Sequence, residues 1–227
     1  MTHWIFGPGA VGNFLAKRIR NNRLIGRSDP LPTTSGDPVL AIWIATPAWA
    51  VQSVLDRAGL PPGVPILITS NGLGLYDDAL ISKAAARGNP ICRGALWLGV
   101  TWDPVSKVVT ENGIGRVEIA PPNPTFRETL KEIGLACIEE ADPGAVEWRK
   151  ALTNLVINPI CALAGRENGA LLTEPDLLAR AQRVLLECVA VARATGRILT
   201  PADQDLVWAT ARTTAANRNS MLRAKTA

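Results

Sequence analysis

The sequence predicts an α/β fold in which an N-terminal part built on a mainly parallel sheet precedes an all-helical C-terminal part. Three observations predict it. Short continuous apolar runs, Thr2 to Phe6, Val39 to Ala45 and Val64 to Ser70, alternate with stretches of helical period, as strands covered by helices on both faces do. A glycine-rich turn, Gly7-Pro8-Gly9-Ala10-Val11-Gly12, joins the first run to the first helical stretch. Beyond Asp142-Pro143-Gly144 the strand pattern stops and the chain reads as helix throughout.

Taken in order, Thr2 to Phe6 is a strand, and Asn13 to Arg20 is a helix with Phe14, Leu15 and Ile19 on one face. Arg23 to Arg27 is a second strand, and Val39 to Ala45 and Val64 to Ser70 are strands joined by a helix over Ala48 to Ala58. Ile91 to Val100, Lys107 to Asn112 and Arg116 to Ala120 read as further strands at an edge where the sheet becomes mixed. A helix over Pro124 to Gly134 and a strand over Ala136 to Glu140 complete the first part. Helices follow over Ala145 to Ala164, Pro175 to Thr195 and Pro201 to Ala224, each opening near a proline or an acidic residue, as helix N-termini do. The boundary falls at Asp142-Pro143-Gly144, giving domains 1–142 and 143–227. A ligand cleft is expected between them.

Composition narrows the function classes. The 227 residues are 47% hydrophobic, enough for one large core or two modest ones. The net charge is +4, but the basic residues are dispersed and lack interleaved aromatics for base stacking, which argues against nucleic acid. Met1 to Phe6 carries no basic n-region and runs straight into the glycine turn, as expected of a cytoplasmic protein. The longest apolar stretches contain Pro, Gln or Asn and fall short of the roughly 20 residues a membrane span needs. Cys92, Cys137, Cys161 and Cys188 form no CxxC pair, and His3 is the single histidine, so no metal site is expected.

The glycine turn has a mechanism. After a strand and before a helix, Gly7 permits the tight bend, Gly9 lets a pyrophosphate approach the backbone, and Gly12 lets the helix pack on the strand. The helix N-terminus then faces the phosphates. This favours a Rossmann-type dinucleotide site formed by Gly7, Pro8, Gly9, Ala10, Val11 and Gly12 over a purely structural turn. Where NAD sites place an acidic residue after the second strand, this chain has Arg27-Ser28, which suits the 2′-phosphate of NADP. Asp29 leaves NAD as the alternative.

A second signal lies in the helix after the boundary. From Ala151 to Gly165 the chain carries no charge, yet Lys150, Asn154 and Asn158 are spaced i, i+4, i+8 and form one polar line on an apolar rod. Burying an unpaired polar group costs roughly 1 to 3 kcal/mol, so a polar ligand facing the line would serve it. Pro159 should free the Leu155 carbonyl and break the helix near the line. The alternative is that Lys150 reaches water at the helix start and the amides cap neighbouring backbone.

Together these residues resemble the ketopantoate reductase (2-dehydropantoate 2-reductase) family. Gly7-Pro8-Gly9-Ala10-Val11-Gly12 resembles its opening motif, Ser70-Asn71-Gly72-Leu73-Gly74 its Asn-Gly turn, and Trp148-Arg149-Lys150 with Asn154, Asn158-Pro159 and Asn168-Gly169 its central signature. Asn217-Arg218-Asn219-Ser220-Met221 resembles its Asn-x-x-Ser-Met segment. The resemblance implies NADPH-dependent reduction of a 2-oxo acid, ketopantoate to pantoate in pantothenate biosynthesis. It implies Lys150 as general acid, with Asn154, Asn158, Asn168 and Ser220 holding the substrate and Asn71 between nicotinamide and substrate.

Three departures accompany it. Pro47 stands where a lysine is common, the segment from Ser28 to Pro38 is short for the family's extra strand, and the family's C-terminal glutamate lies beyond Ala227. A second reading follows: an NADP(H)-binding paralogue with impaired catalysis that acts as a sensor or partner protein. A Rossmann methyltransferase would want an acid where Arg27 stands. Apolar surface on a helical domain of this length points to a homodimer.

Overall fold

The computed structural model describes residues 1–32, 37–77, 82 and 84–226. They form two compact units, Met1–Glu147 and Trp148–Ala227.

The first unit is an α/β sandwich around a seven-stranded sheet in the order β2-β1-β3-β4-β5-β6-β7. The strands are β1 (Thr2–Phe6), β2 (Asn22–Ile25), β3 (Val39–Ile44), β4 (Ile66–Ile68), β5 (Ile91–Asp103), β6 (Val108–Ala120) and β7 (Ala136–Glu139). The first five run parallel, β6 is antiparallel to β5, and β7 is parallel to β6. Side chains of a strand alternate between faces, and here both faces are apolar. Ile5, Ala41, Trp43 and Leu67 pack on one side with Phe14 and Leu15 of α1 (Ala10–Arg18) and Phe126 and Leu130 of α3 (Pro124–Glu132). Trp4, Phe6, Ile42, Ile44, Ile66 and Ile68 pack on the other with Val51, Val54 and Leu55 of α2 (Ala48–Leu55). Two-sided burial is the physical reason that these strands read as uninterrupted apolar runs.

One expectation for this unit is corrected. Lys107 to Asn112 and Arg116 to Ala120 are one long strand, β6, not two. Asn112-Gly113 resembles a turn signal, but the backbone absorbs it as a register shift: Gly99 pairs with Asn112 and Trp97 with Arg116. The reversal falls earlier, where Asp103 accepts from the Val105 N–H (2.9 Å) and the Ser106 hydroxyl (2.6 Å).

The second unit is helical. Helix α4 (Pro143–Ala164) begins in the first unit and is followed by α5 (Ala170–Thr173), α6 (Pro175–Ala194), α7 (Pro201–Thr213) and α8 (Ser220–Thr226). Its core joins Leu152, Val156, Ile157 and Cys161 to Leu171, Ala181, Leu185, Val207 and Ala211. Two further expectations are corrected here. Pro159 does not break α4, which continues to Ala164. The burial of Ile160, Cys161 and Ala162 beyond it offsets the roughly 3 kcal/mol an interior proline costs. Nor is Pro201 to Ala224 a single helix: residues 214–219 leave it to bond the backbone of 168–169, Asn168 N–H to Asn217 O at 3.1 Å and Gly169 N–H to Ala215 O at 2.9 Å.

Candidate functional site

The glycine turn leaves the C-terminal end of β1, where ligands bind in open parallel sheets. Gly7 N–H donates to Ile25 O (3.0 Å), and Phe6 O accepts from Ala45 N–H (2.8 Å), so the turn is pinned to the ends of β2 and β3. Gly7 sits at φ +102°, and a Cβ there would lie 2.7 Å from Ala45 O. At Gly12 a Cβ would lie 1.9 Å from Gly7 O. Both positions therefore demand glycine, one for backbone conformation and close approach, the other for helix-on-strand contact. At Gly9 a Cβ would meet nothing within 4 Å, leaving the N-terminus of α1 open. No side chain caps α1 and no acidic residue stands in its first turn. Asn13 Nδ2 donates to Pro8 O (2.7 Å) and Gly9 O (2.9 Å), occupying the carbonyls of the turn.

Beside the turn lies a cavity of about 410 Å³, lined by Phe6, Gly7 and Pro8, by Ile25, Gly26 and Arg27 after β2, and by Thr46, Pro47, Trp49, Ala50, Ser53, Val54 and Arg57. Arg27 is exposed, its guanidinium 5.2 Å from the Trp49 ring centre. The Asp29 carboxylate is not in the lining; it accepts from Gly26 N–H at 2.7 Å. Trp49 and Arg57 escaped the sequence reading, because no motif marks them and only the packing of α2 beside the turn brings them to the cavity.

The Asn71 turn follows β4. Asn71 is exposed, and its neighbours are fixed from below by buried Arg93. The Arg93 guanidinium donates to Ile68 O (2.6 Å), Gly94 O (2.7 Å), Ser70 O (2.5 Å) and Gly72 O (3.3 Å), and through Nε to Glu147 Oε1 (2.7 Å). Glu147 in turn accepts from Gly74 N–H (2.9 Å) and Leu75 N–H (3.0 Å). Burial lowers the Arg93 pKa, opposed by Glu147. An open helix N-terminus and a cavity lined by two arginines fit a dinucleotide with phosphate at its ribose. Two buried hydroxyls without a partner, Thr46 Oγ1 and Ser70 Oγ just beyond β3 and β4, lie at the same sheet edge and fit a polar ligand there.

In the helical unit Lys150, Asn154 and Asn158 are all half-buried, while Leu152, Thr153, Val156, Ile157 and Cys161 are buried. Leu155, between Asn154 and Asn158 in sequence, is 43% exposed. Ser220 is exposed at the start of α8. Asn168 has a different setting: it is 6% exposed, its Nδ2 donates to Thr214 Oγ1 (2.9 Å), and its Oδ1 accepts from Asn219 Nδ2 (3.1 Å). Asn219 also caps α8 by accepting from Leu222 N–H at 3.0 Å. Asn168-Gly169 thus clasps the 214–219 segment, and a Cβ on Gly169 would lie 2.9 Å from the Ala215 Cβ.

The four cysteines are free thiols, and burial raises the pKa of each, Cys92 to about 12 and Cys137 and Cys161 to about 11. They are poor nucleophiles near neutral pH.

Comparison with known proteins gives the site its context. Residues 145–224 match the family model described as "Ketopantoate reductase PanE/ApbA C terminal". No curated protein sequence matches the chain. Among solved structures, the probable 2-dehydropantoate 2-reductase from Bacillus subtilis is 22% identical with TM-score 0.70, over 98% of this chain and 86% of that one. The 2-dehydropantoate 2-reductase from Geobacter metallireducens GS-15 is 21% identical with TM-score 0.76, over 98% and 86%. D-mandelate dehydrogenase, solved with NADH, is 17% identical with TM-score 0.74, over 98% and 84%. Sequence and fold agree: residues 145–224 match that family's C-terminal model, and the chain as a whole takes the fold of the solved 2-dehydropantoate 2-reductases to which it is similar.

Proposed function

We propose that the protein is an oxidoreductase that uses NADPH to reduce a 2-oxo acid to the 2-hydroxy acid, with ketopantoate as the substrate its resemblance favours. The observation that carries this reading is the half-buried line of Lys150, Asn154 and Asn158 on a helix that also carries buried Leu152, Thr153, Val156 and Ile157, within the segment that matches the family. The open Gly9 turn and the arginine-lined cavity support the cofactor, and the engagement of Asp29 with the Gly26 N–H favours a 2′-phosphate over a free 2′-hydroxyl.

When bound, the nicotinamide supplies a hydride to the carbonyl carbon of the substrate. Gly7, Pro8, Gly9, Ala10, Val11 and Gly12 would hold the pyrophosphate, and Arg27 the 2′-phosphate. Lys150 is the general acid: its ammonium stabilises the negative charge that grows on the carbonyl oxygen and then gives that oxygen a proton. Asn154, Asn158 and Ser220 orient the carboxylate and hydroxyl groups, with Asn71 between nicotinamide and substrate. Asn168 serves the same end through the 214–219 segment that leads to Ser220. Exposed Leu163, Leu186 and Val191 provide apolar surface that a homodimer would cover.

The test is NADPH oxidation by the purified protein with ketopantoate, beside Lys150→Ala. Losing a general acid should lower kcat by about 10²- to 10⁴-fold while NADPH binding persists. Wild-type protein that binds NADPH yet consumes none with ketopantoate or other 2-oxo acids would contradict the reading and favour a binding-only protein.

A further inference from the structure

We infer that Arg57 is the preset cation of the nucleotide cavity and sets its preference for a 2′-phosphorylated dinucleotide, an assignment that rests on the NADPH reading above. Among the described residues two guanidinium groups line the cavity, and no carboxylate side chain does. They differ in how firmly they are held. Arg27 is exposed, and its guanidinium lies 5.2 Å from the centre of the Trp49 ring, itself 69% exposed. Arg57, just past α2, is half-buried: its guanidinium lies 5.6 Å from the Phe6 ring centre, and its Nη2 donates to Asp29 O.

That contact joins Arg57 to the segment that follows β2. Asp29 turns its carboxylate onto Gly26 N–H and its carbonyl onto Arg57, so one residue both closes the turn and orients the cation. A guanidinium has five N–H donors in a rigid fork, and the Asp29 contact engages one nitrogen. A fork already held in place loses little side-chain freedom on meeting a phosphate, whereas Arg27 must be ordered from solvent. Arg57 therefore contributes the larger share of discrimination. A 2′-hydroxyl offers no charge to pair with it, so its removal acts on NADPH and spares NADH.

The experiment measures dissociation constants of NADPH, NADH, adenosine 2′,5′-bisphosphate and 5′-AMP by fluorescence and calorimetric titration of wild-type protein, Arg57→Gln, Arg57→Lys and Arg27→Gln. Gln at 57 keeps a donor for Asp29 O without the charge. The expected result is that wild type prefers NADPH and the bisphosphate. Arg57→Gln weakens both by about 10- to 100-fold, the range of a charge-assisted hydrogen bond, with NADH and 5′-AMP changed less than about 2-fold. Arg57→Lys falls between, and Arg27→Gln loses less. Equal weakening of NADPH and NADH in Arg57→Gln, or an unchanged preference, overturns the assignment alone. Wild-type protein that binds neither dinucleotide overturns the reading on which it rests.

Discussion

His3 shows what one buried side chain does to the pH response of the fold. Its Nδ1 accepts from Trp43 Nε1 at 3.1 Å, which fixes the neutral ring with its proton on Nε2. Burial holds its pKa below the ordinary 6.5, against the opposing pull of Glu132. The unfolded chain therefore takes up a proton before the folded one. The stability that neutral His3 contributes is complete above pH 6.5 and is lost as pH falls from there through the lowered value. Denaturation midpoints at pH 7.5 and 5.5 should drop for wild type, with a slope of at most about 1.4 kcal/mol per pH unit from this group. The drop should be smaller in His3→Gln; equal drops would contradict the account. At this scale the glycine turn was legible, because what Gly7 and Gly12 must do is local to a strand-turn-helix unit. Arg57 was not, because its place depends on packing between segments far apart in sequence. The same holds for Asn168, whose amide partners lie at 214 and 219.

Among the elements, the turn after β4 depends on an ion pair that the sequence does not announce. Arg93 lies on β5 and Glu147 in the first turns of α4, 54 positions apart, and both are buried. Removing one charge of a buried pair leaves the other uncompensated, at a cost of about 3 to 5 kcal/mol. Glu147→Gln should therefore lower the unfolding free energy by about that much, read from denaturant midpoints, and should loosen the Asn71 turn, read as faster amide exchange at Gly74 and Leu75. A loss below about 1 kcal/mol would show that the pair is not the anchor. The parallel strands were legible because burial on both faces leaves few polar residues within them. The length of β6 was not, since the local turn signal is overridden there by pairing with β5; the extent of α4 to Ala164 was, and only the break expected at Pro159 is missing, overridden by core burial on either side of it.

For the whole molecule, the sequence pattern separates an α/β part from a helical part, and the folded chain has two compact units with cores of their own. Among the described residues no helix is long and apolar enough to cross a membrane, and no cluster of His, Cys, Asp or Glu could hold a metal ion. The change of character after Asp142 was legible because the two halves bury apolar residues with different periods; the folding of 214–219 onto 168–169 was not, because it pairs backbone groups of segments distant in sequence. The central claim is tested most directly by mixing the purified protein with NADPH carrying deuterium at the transferable C4 position and ketopantoate, then analysing the acid product by mass spectrometry. The account predicts pantoate with one deuterium at C2, absent when Lys150→Ala replaces wild type. Unlabelled ketopantoate recovered intact, under conditions where NADPH is bound, would contradict it.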